Sequence, residues 1–209
     1  MAPQMPFAGA SPDQAIEWFD ECFADCVDRG TPDPVTLAND WLPRTFALPD
    51  ADGDSWWVQR FAALARTRLG ERYRDLRKEL SKRRALDEIA SPGRGQVRSA
   101  RHTRAFALQV LVELHLHRLD RVHRDPLHTQ TMRFLSKRLD DLGVLLAVPV
   151  GGGHASRGGT SSALASVKHF LDLAIWPVFH ETMPRTLDRL YESLELVSPS
   201  GQVPLSPVR

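Results

Sequence analysis

Cysteine is scarce in this chain of 209 residues, which has only Cys22 and Cys26. Two cysteines do not make the disulfide framework of a small secreted domain, and no second cysteine cluster is present to complete a zinc shell. The pair lies one helical turn apart near Phe19 and Phe23, a spacing typical of small apolar residues on a buried stripe. The sequence therefore predicts no metal site and no cofactor.

Long apolar runs are also lacking. No stretch approaches the ~18 residues needed to span a bilayer, and the first residues have no basic start followed by an apolar region. We therefore expect a cytoplasmic protein with no membrane partner.

Strand-forming segments are nearly absent, whereas apolar residues recur at helical spacing along most of the chain. The pattern predicts an all-α fold, a single-domain helix bundle of about five to seven helices. At most one short extended segment is expected, near 144–150. A chain of this length can bury a core of useful size.

Glycine and proline predict where the elements begin and end. Ser11 and Gln14 form a capping-box pattern before the first helix, and Gly30 follows its end. We also expect a kink or break at Gly70, an N-cap at Asp125 for a helix with Pro126 in first position, and an interruption at Trp176-Pro177. The predicted segments are a flexible leader at 1–10, a helical domain at 11–196 and a disordered tail at 197–209. Within that domain we expect an acidic N-terminal helix, basic helices at 55–90 and 97–124, a helical hairpin at 97–142, a Gly-rich loop at 151–162 and an apolar final helix at 162–196.

Charge is unevenly distributed along the chain, although the formal net charge is only +1. Residues 1–59 carry eleven acidic and two basic side chains, a net charge of −9. Residues 60–104 carry fourteen basic and five acidic side chains, a net charge of +9. Cations on one helical face suit nonspecific contact with nucleic-acid phosphates or with an acidic protein. The predicted contact residues are Arg66, Arg74, Arg77, Lys78, Arg84, Arg94, Arg98 and Arg101.

Two other functions remain open at this stage. The acidic and basic segments could pair within the fold, leaving an adaptor module of a protein assembly that meets its partner through an exposed residue such as Trp56. Alternatively, His169, Asp172 and His180 lie on one side of the final helix, where an acid beside two imidazoles could serve an enzyme. The Gly-rich loop lacks the lysine of a phosphate-binding loop and favours a connector.

Overall fold

The computed structural model describes residues 10–43, 55–86, 92–119, 125–146 and 159–199. Within these ranges every regular element is a helix and no residue lies in a strand, which confirms the predicted all-α fold. The chain divides into two compact units, Met1–Asp120 and Arg121–Arg209.

The described residues of the first unit are mainly helical. Helix α1 spans Pro12–Arg29, α2 spans Pro34–Thr36 and continues as a π-helical turn over Leu37–Trp41, α3 spans Ser55–Leu86 and α4 spans Pro92–Leu119. The predicted ends of α1 are confirmed. Ser11 Oγ accepts the Gln14 N–H at 3.2 Å, Gln14 Oε1 accepts the Ser11 N–H at 2.9 Å, and Gly30 closes the helix with φ of 72°.

Helix α4 is the central element of this unit, because every residue from 105 to 112 is buried. The stripe of α1 that contains Phe19 and Phe23 packs towards α3, where the Phe19 and Phe61 ring centroids lie 6.2 Å apart. Tyr73 of α3 meets Phe106 of α4 edge to face at 5.9 Å. Aromatic and aliphatic burial on three helices thus forms one core.

Of the kink or break predicted at Gly70, the break is wrong, because α3 runs unbroken through it, and the kink stays a prediction. The apolar stripe shifts there because Phe61 faces α1 whereas Tyr73 faces α4. The predicted start of the next helix is also too late, since α4 begins at Pro92 and includes Gly93 and Gly95. A proline at the first helical position lacks only an N–H that the helix would leave unbonded.

The second unit contains α5 over Thr129–Leu146, α6 over Gly159–Phe170, a π-helical turn over Leu171–Ile175, α7 over Trp176–Phe179 and α8 over Pro184–Ser193. The predicted interruption at Trp176-Pro177 is wrong, because helical structure continues to Phe179. The expected final helix at 162–196 is wrong as well, because the chain leaves the helix at 180–183 and α8 ends at Ser193. In the widened turn the Trp176 N–H donates to the Leu171 carbonyl. Such a turn before Pro177 fits a residue that has no N–H to donate.

Asp125 does not cap the helix that follows it, as the sequence suggested; α5 begins four residues later, at Thr129. Its carboxylate instead accepts the backbone N–H groups of Arg185 and Thr186, at 3.0 and 2.7 Å, in the first turn of α8. The expected closure at Gly143 is also wrong, and so is the first part of the extended segment expected near 144–150, because α5 continues to Leu146. A Cβ on Gly143 would lie 3.1 Å from Val167 Cγ2, so the missing side chain lets α6 pack closely.

Several predictions fall on residues outside the described ranges and stay predictions. They concern the leader up to residue 9, the end of the extended segment at 147–150, the Gly-rich loop at 151–158 and the tail from residue 200. The helical hairpin at 97–142 joins elements of the two units and also stays a prediction. Gly159 and Thr160, by contrast, belong to the first turn of α6, and Ser198 at the start of the expected tail is buried.

Candidate functional site

The acidic side chains of α1 and the basic side chains of α3 meet along a seam in the first unit. Asp20 pairs with Arg72, with Nη2 and Oδ1 2.8 Å apart, and with Arg68, with Nε and Oδ2 3.4 Å apart. Arg60 and Asp13 form a further pair at 3.5 Å. In these pairs the residue numbers increase together along the two helices, so α1 and α3 run in the same direction.

Arg101 extends this charged seam to α4. Its Nε donates to Asp28 Oδ1 at 2.7 Å, and its Nη1 donates to Glu79 Oε2 at 3.2 Å. The hydrogen bond to Asp28 raises the pKa of Arg101 above its ordinary value, although partial burial by itself would lower that pKa. His102 Nε2 lies 3.2 Å from the same Glu79 oxygen. One predicted contact residue for a polyanion is therefore engaged with acids of α1 and α3.

Two other arginines bind backbone carbonyls within the unit. Arg104 donates from Nε and Nη2 to the Val27 carbonyl, at 3.0 and 2.7 Å, near the C-terminal end of α1. A cation in this position also complements the negative end of the helix dipole. Arg66, a predicted contact residue, donates from Nη2 to the Leu116 carbonyl of α4 at 3.4 Å.

The remaining predicted contact residues of α3 lie beyond the seam. Arg74 is exposed, Lys78 is exposed and pairs with Asp75 at 3.5 Å, and the Arg77 guanidinium lies 5.9 Å from the ring centroid of Tyr73. The side chains of Arg84, Arg94 and Arg98 lie outside the described part of the structure. The described outer face of α3 therefore mixes both signs of charge.

Trp56 is exposed, as its place on α3 predicted. It leaves 62% of its surface accessible, whereas the neighbouring Trp57 leaves 8%. Trp57 stacks on Phe61 with ring centroids 5.5 Å apart, and its Nε1 donates to the Ala10 carbonyl at 2.9 Å. The two adjacent tryptophans thus have opposite surroundings, and Trp56 alone of this pair is available to a partner.

The proposed enzyme constellation of His169, Asp172 and His180 is not joined by hydrogen bonds. Among the described residues, the side-chain partners of Asp172 are Lys168, whose Nζ lies 2.6 Å from Oδ2, and Tyr191, whose hydroxyl lies 2.6 Å from Oδ1. Burial alone would raise the pKa of Asp172, but the hydrogen bonds from both partners outweigh it and lower that pKa. Asp172 is thus a stabilised carboxylate rather than a base poised for proton transfer.

The two imidazoles occupy different surroundings. His180 donates from Nδ1 to the Trp176 carbonyl at 2.9 Å and stacks on the Trp176 ring at 5.7 Å, whereas His169 is exposed. The sequence did not point to Tyr191, because it lies 19 positions beyond Asp172 on another helix. The partnership with Lys168 was readable, since the two residues are four apart on a helix.

His115 lies in the core of the first unit, at 1% exposure. Its Nε2 donates to Oδ1 of Asn39, in the π-helical turn of Leu37–Trp41, at 2.9 Å. Burial lowers the pKa of His115 to about 3, with a smaller contribution from Arg118. The imidazole is therefore neutral at physiological pH and holds this turn against α4.

Cys22 and Cys26 are buried free thiols. Burial is the main cause that raises the pKa of each to about 12, so both are protonated and unreactive in the folded state. In the part of the chain that the structure describes, no group of three or more His, Cys, Asp and Glu side chains is placed to hold a metal ion.

Comparisons of the chain with protein-family models, with curated proteins and with solved structures found no match. Within the described ranges, no helix is both long and apolar enough to cross a membrane.

Proposed function

We propose that this chain is a helical adaptor that binds another protein, and that its basic segment serves mainly to hold its own fold together. The observation that supports this proposal is the double pairing of Asp20 with Arg68 and Arg72. Arg101 and Arg66, two of the predicted contact residues, are likewise engaged within the unit. These guanidinium groups would have to break their internal ion pairs and hydrogen bonds before they could bind phosphates.

Trp56 is the proposed anchor for the protein partner. A large exposed aromatic side chain on a rigid helix is a frequent hot spot, because it buries much area and loses little side-chain entropy. Its neighbour Trp57 fixes this part of α3 against the core, so the anchor is held in a defined orientation.

Site-specific crosslinking tests this function. A photo-crosslinking phenylalanine analogue at position 56 of the full chain, expressed in its native cells, should give a discrete adduct with one protein. The matched control is the same analogue at position 74, which is also exposed on α3. Adducts that are equally strong at both positions would show general surface proximity and would contradict an anchor at Trp56.

Nonspecific polyanion binding is the second candidate, because Arg74 and Lys78 of α3 are exposed. An electrophoretic shift with nonspecific DNA and RNA at two salt concentrations tests it. Binding through these cations should weaken steeply with salt and be lost in Arg74→Glu/Lys78→Glu. A shift with both properties would favour this function over the adaptor; an unchanged shift in the variant would reject it.

A further inference from the structure

Helices α3 and α4 of the first unit form an antiparallel pair, and two contacts define its register. Tyr73 of α3 meets Phe106 of α4, with ring centroids 5.9 Å apart. Further along α3, Glu79 Oε2 lies 3.2 Å from both Arg101 Nη1 and His102 Nε2. Residue numbers increase along α3 as they decrease along α4, so the C-terminal end of α3 and the start of α4 lie at the same end of the pair.

Helix α1 accompanies this pair only as far as Arg101. Asp28, in the last turn of α1, accepts a hydrogen bond from Arg101 Nε at 2.7 Å, and Gly30 ends the helix with φ of 72°. The next element lies towards the other end of α4, where Asn39 contacts His115 at 2.9 Å. Among the described elements of the first unit, only α3 and α4 therefore continue past the level at which α1 ends.

The parts of α3 and α4 beyond that level are residues 80–86 and 92–100, which we call the distal end of the pair. At ~1.5 Å per residue, they extend roughly 10–14 Å past the contact between α1 and Arg101. Their sequences contain no acidic residue and five basic ones. The five are Lys82, Arg83, Arg84, Arg94 and Arg98. Asp87 and Glu88 come between the two helices in the sequence, so residues 80–100 as a whole carry a net charge of +3.

The register places two arginines opposite each other at the distal end. Arg83 lies one turn beyond Glu79 on α3, and Arg98 lies one turn before His102 on α4. The contact between an acid and an imidazole is thus followed, one turn further, by two facing positions that are both cationic. Like charges at facing positions repel each other, and an anion bound between them would replace that repulsion with attraction.

We propose that the distal end of α3 and α4 binds the phosphate backbone of double-stranded nucleic acid. Lys82, Arg83 and Arg84 occupy consecutive positions, which cover about 200° of the circumference of α3. An acidic helix presents its carboxylates in rows one turn apart and would meet only part of this set. A duplex carries one negative charge per ~1.7 Å of its axis, so it offers a phosphate to each of these cations.

The composition of the distal end favours contact with the backbone over contact with the bases. Residues 80–86 and 92–100 contain no aromatic residue, and proteins that bind single strands stack the bases on aromatic side chains. Arginine matches phosphate with two parallel hydrogen bonds. We therefore expect binding that is independent of base sequence, weaker for single strands and strongly dependent on salt. The inference does not depend on the adaptor function, since Trp56 lies near the opposite end of α3.

The test measures the fluorescence anisotropy of a labelled DNA duplex with the full chain at several salt concentrations. Arg83→Gln/Arg98→Gln removes two phosphate contacts, so we expect about tenfold weaker binding and a salt slope that is shallower by about 1.8. Arg83→Lys/Arg98→Lys keeps both charges and should retain most of the affinity. The matched control is Arg133→Gln/Lys137→Gln, which removes two exposed cations of the second unit and should leave the affinity nearly unchanged.

The stability of the same variant distinguishes a binding site from a structural ion pair. Two arginines that face each other repel, so Arg83→Gln/Arg98→Gln should unfold in urea at the same or a higher midpoint than the wild type when no DNA is present. A lower midpoint would show that these arginines pair with acids inside the fold, and it would overturn the inference. An unchanged affinity for DNA in this variant would overturn it as well.

Further probes decide the chemistry of the ligand. Poly-glutamate that binds as tightly as the duplex would contradict the assignment to nucleic acid, and tighter binding of single-stranded DNA would contradict contact through the backbone alone. Loss of DNA binding in Arg74→Glu/Lys78→Glu but not in Arg83→Gln/Arg98→Gln would move the polyanion site away from the distal end. If no DNA binds while the crosslink at position 56 persists, the distal-end site fails and the adaptor function stands.

Discussion

Asp125 and Thr186, 61 positions apart in the chain, are joined by two hydrogen bonds to one carboxylate oxygen. Oδ1 of Asp125 accepts the Thr186 N–H at 2.7 Å and the Thr186 hydroxyl at 2.9 Å. The other oxygen accepts the Arg185 N–H at 3.0 Å. Met183, at the N-cap position of α8, makes no capping bond through its own side chain. A distant residue therefore performs the capping that the local sequence of α8 does not supply.

Removing this cap should destabilise the second unit. Asp125→Ala is expected to cost about 1–2 kcal/mol in the free energy of unfolding, because three donors of the first turn lose their acceptor. Asp125→Asn should cost less, since the amide oxygen still accepts. Urea denaturation of the full chain measures both variants. Equal stabilities of the wild type and the alanine variant would show that the cap is not formed in solution.

Replacing Glu195 with glycine should stabilise the folded protein. The φ of Glu195 is 55°, in the left-handed region, one residue beyond the C-cap Leu194 of α8, and the Leu196 N–H donates to the Tyr191 carbonyl at 2.8 Å. A glycine at this position of a helix C-terminus avoids the steric cost of a Cβ. We expect Glu195→Gly to raise the free energy of unfolding by about 0.5–1 kcal/mol. Glu195→Ala keeps the strain and serves as the control; a gain in the alanine variant as large as in the glycine variant would attribute the effect to the lost charge.

His115 should make the stability of the first unit depend on pH. Burial lowers the pKa of its imidazole to about 3 from the ordinary value of 6.5. Between these values the unfolded chain binds a proton that the folded chain does not, so stability falls as pH falls from 6.5 towards 3. The slope from this residue is about 1.4 kcal/mol per pH unit.

The matched variant for this prediction is His115→Gln, which can still donate to Asn39 but does not titrate. The difference in unfolding free energy between wild type and variant, measured by urea denaturation from pH 7 to pH 4.5, should change progressively below pH 6.5. Parallel pH profiles for the two proteins would place the imidazole in a solvated site and contradict its burial.

Asp20, which pairs with two arginines of α3, should contribute more to stability than Glu17, an acid of α1 outside the charged seam. Asp20→Ala leaves Arg72 without its carboxylate partner, while that guanidinium still lies 4.4 Å from the Phe23 ring centroid. Because both partners are partly exposed, we expect a loss of about 1 kcal/mol, which shrinks at high salt. Glu17→Ala is the control, since Glu17 is exposed on the same helix and no described residue pairs with it. Equal effects of the two variants would show that the seam contributes no specific stability.

The local elements of this fold were readable from the sequence because their causes are local. Ser11 and Gln14 satisfy each other's backbone groups within one turn, and the capping box predicted this correctly. The helical period alone put Trp57 inside and Trp56 outside. Contacts between distant segments had no such signal. The sequence of Asp125-Pro126 indicated a cap for the helix that follows. The carboxylate caps α8 instead, because the packing of α8 against α5 brings the first turn of α8 to it.

In the candidate site, too, the local features could be predicted from the sequence and the contacts between distant segments could not. The balance of charge between 1–59 and 60–104 was visible in the sequence and left internal pairing open as an alternative. The specific pairing of Asp20 with Arg72 depends on the register of α1 against α3, which no local pattern fixes.

Substitution of the two adjacent tryptophans of α3 should have different effects: loss of Trp57 should lower the free energy of unfolding, whereas loss of Trp56 should leave it nearly unchanged. Trp57→Ala removes a buried ring that stacks on Phe61 and donates to the Ala10 carbonyl, so it should cost about 3–5 kcal/mol. Trp56→Ala removes a ring that is mostly in solvent and should change the free energy of unfolding by less than about 1 kcal/mol. Chemical denaturation followed by circular dichroism measures both without relying on tryptophan emission. A large loss in Trp56→Ala would mean that this ring is covered by the chain itself, and it would remove Trp56 as the anchor for a partner.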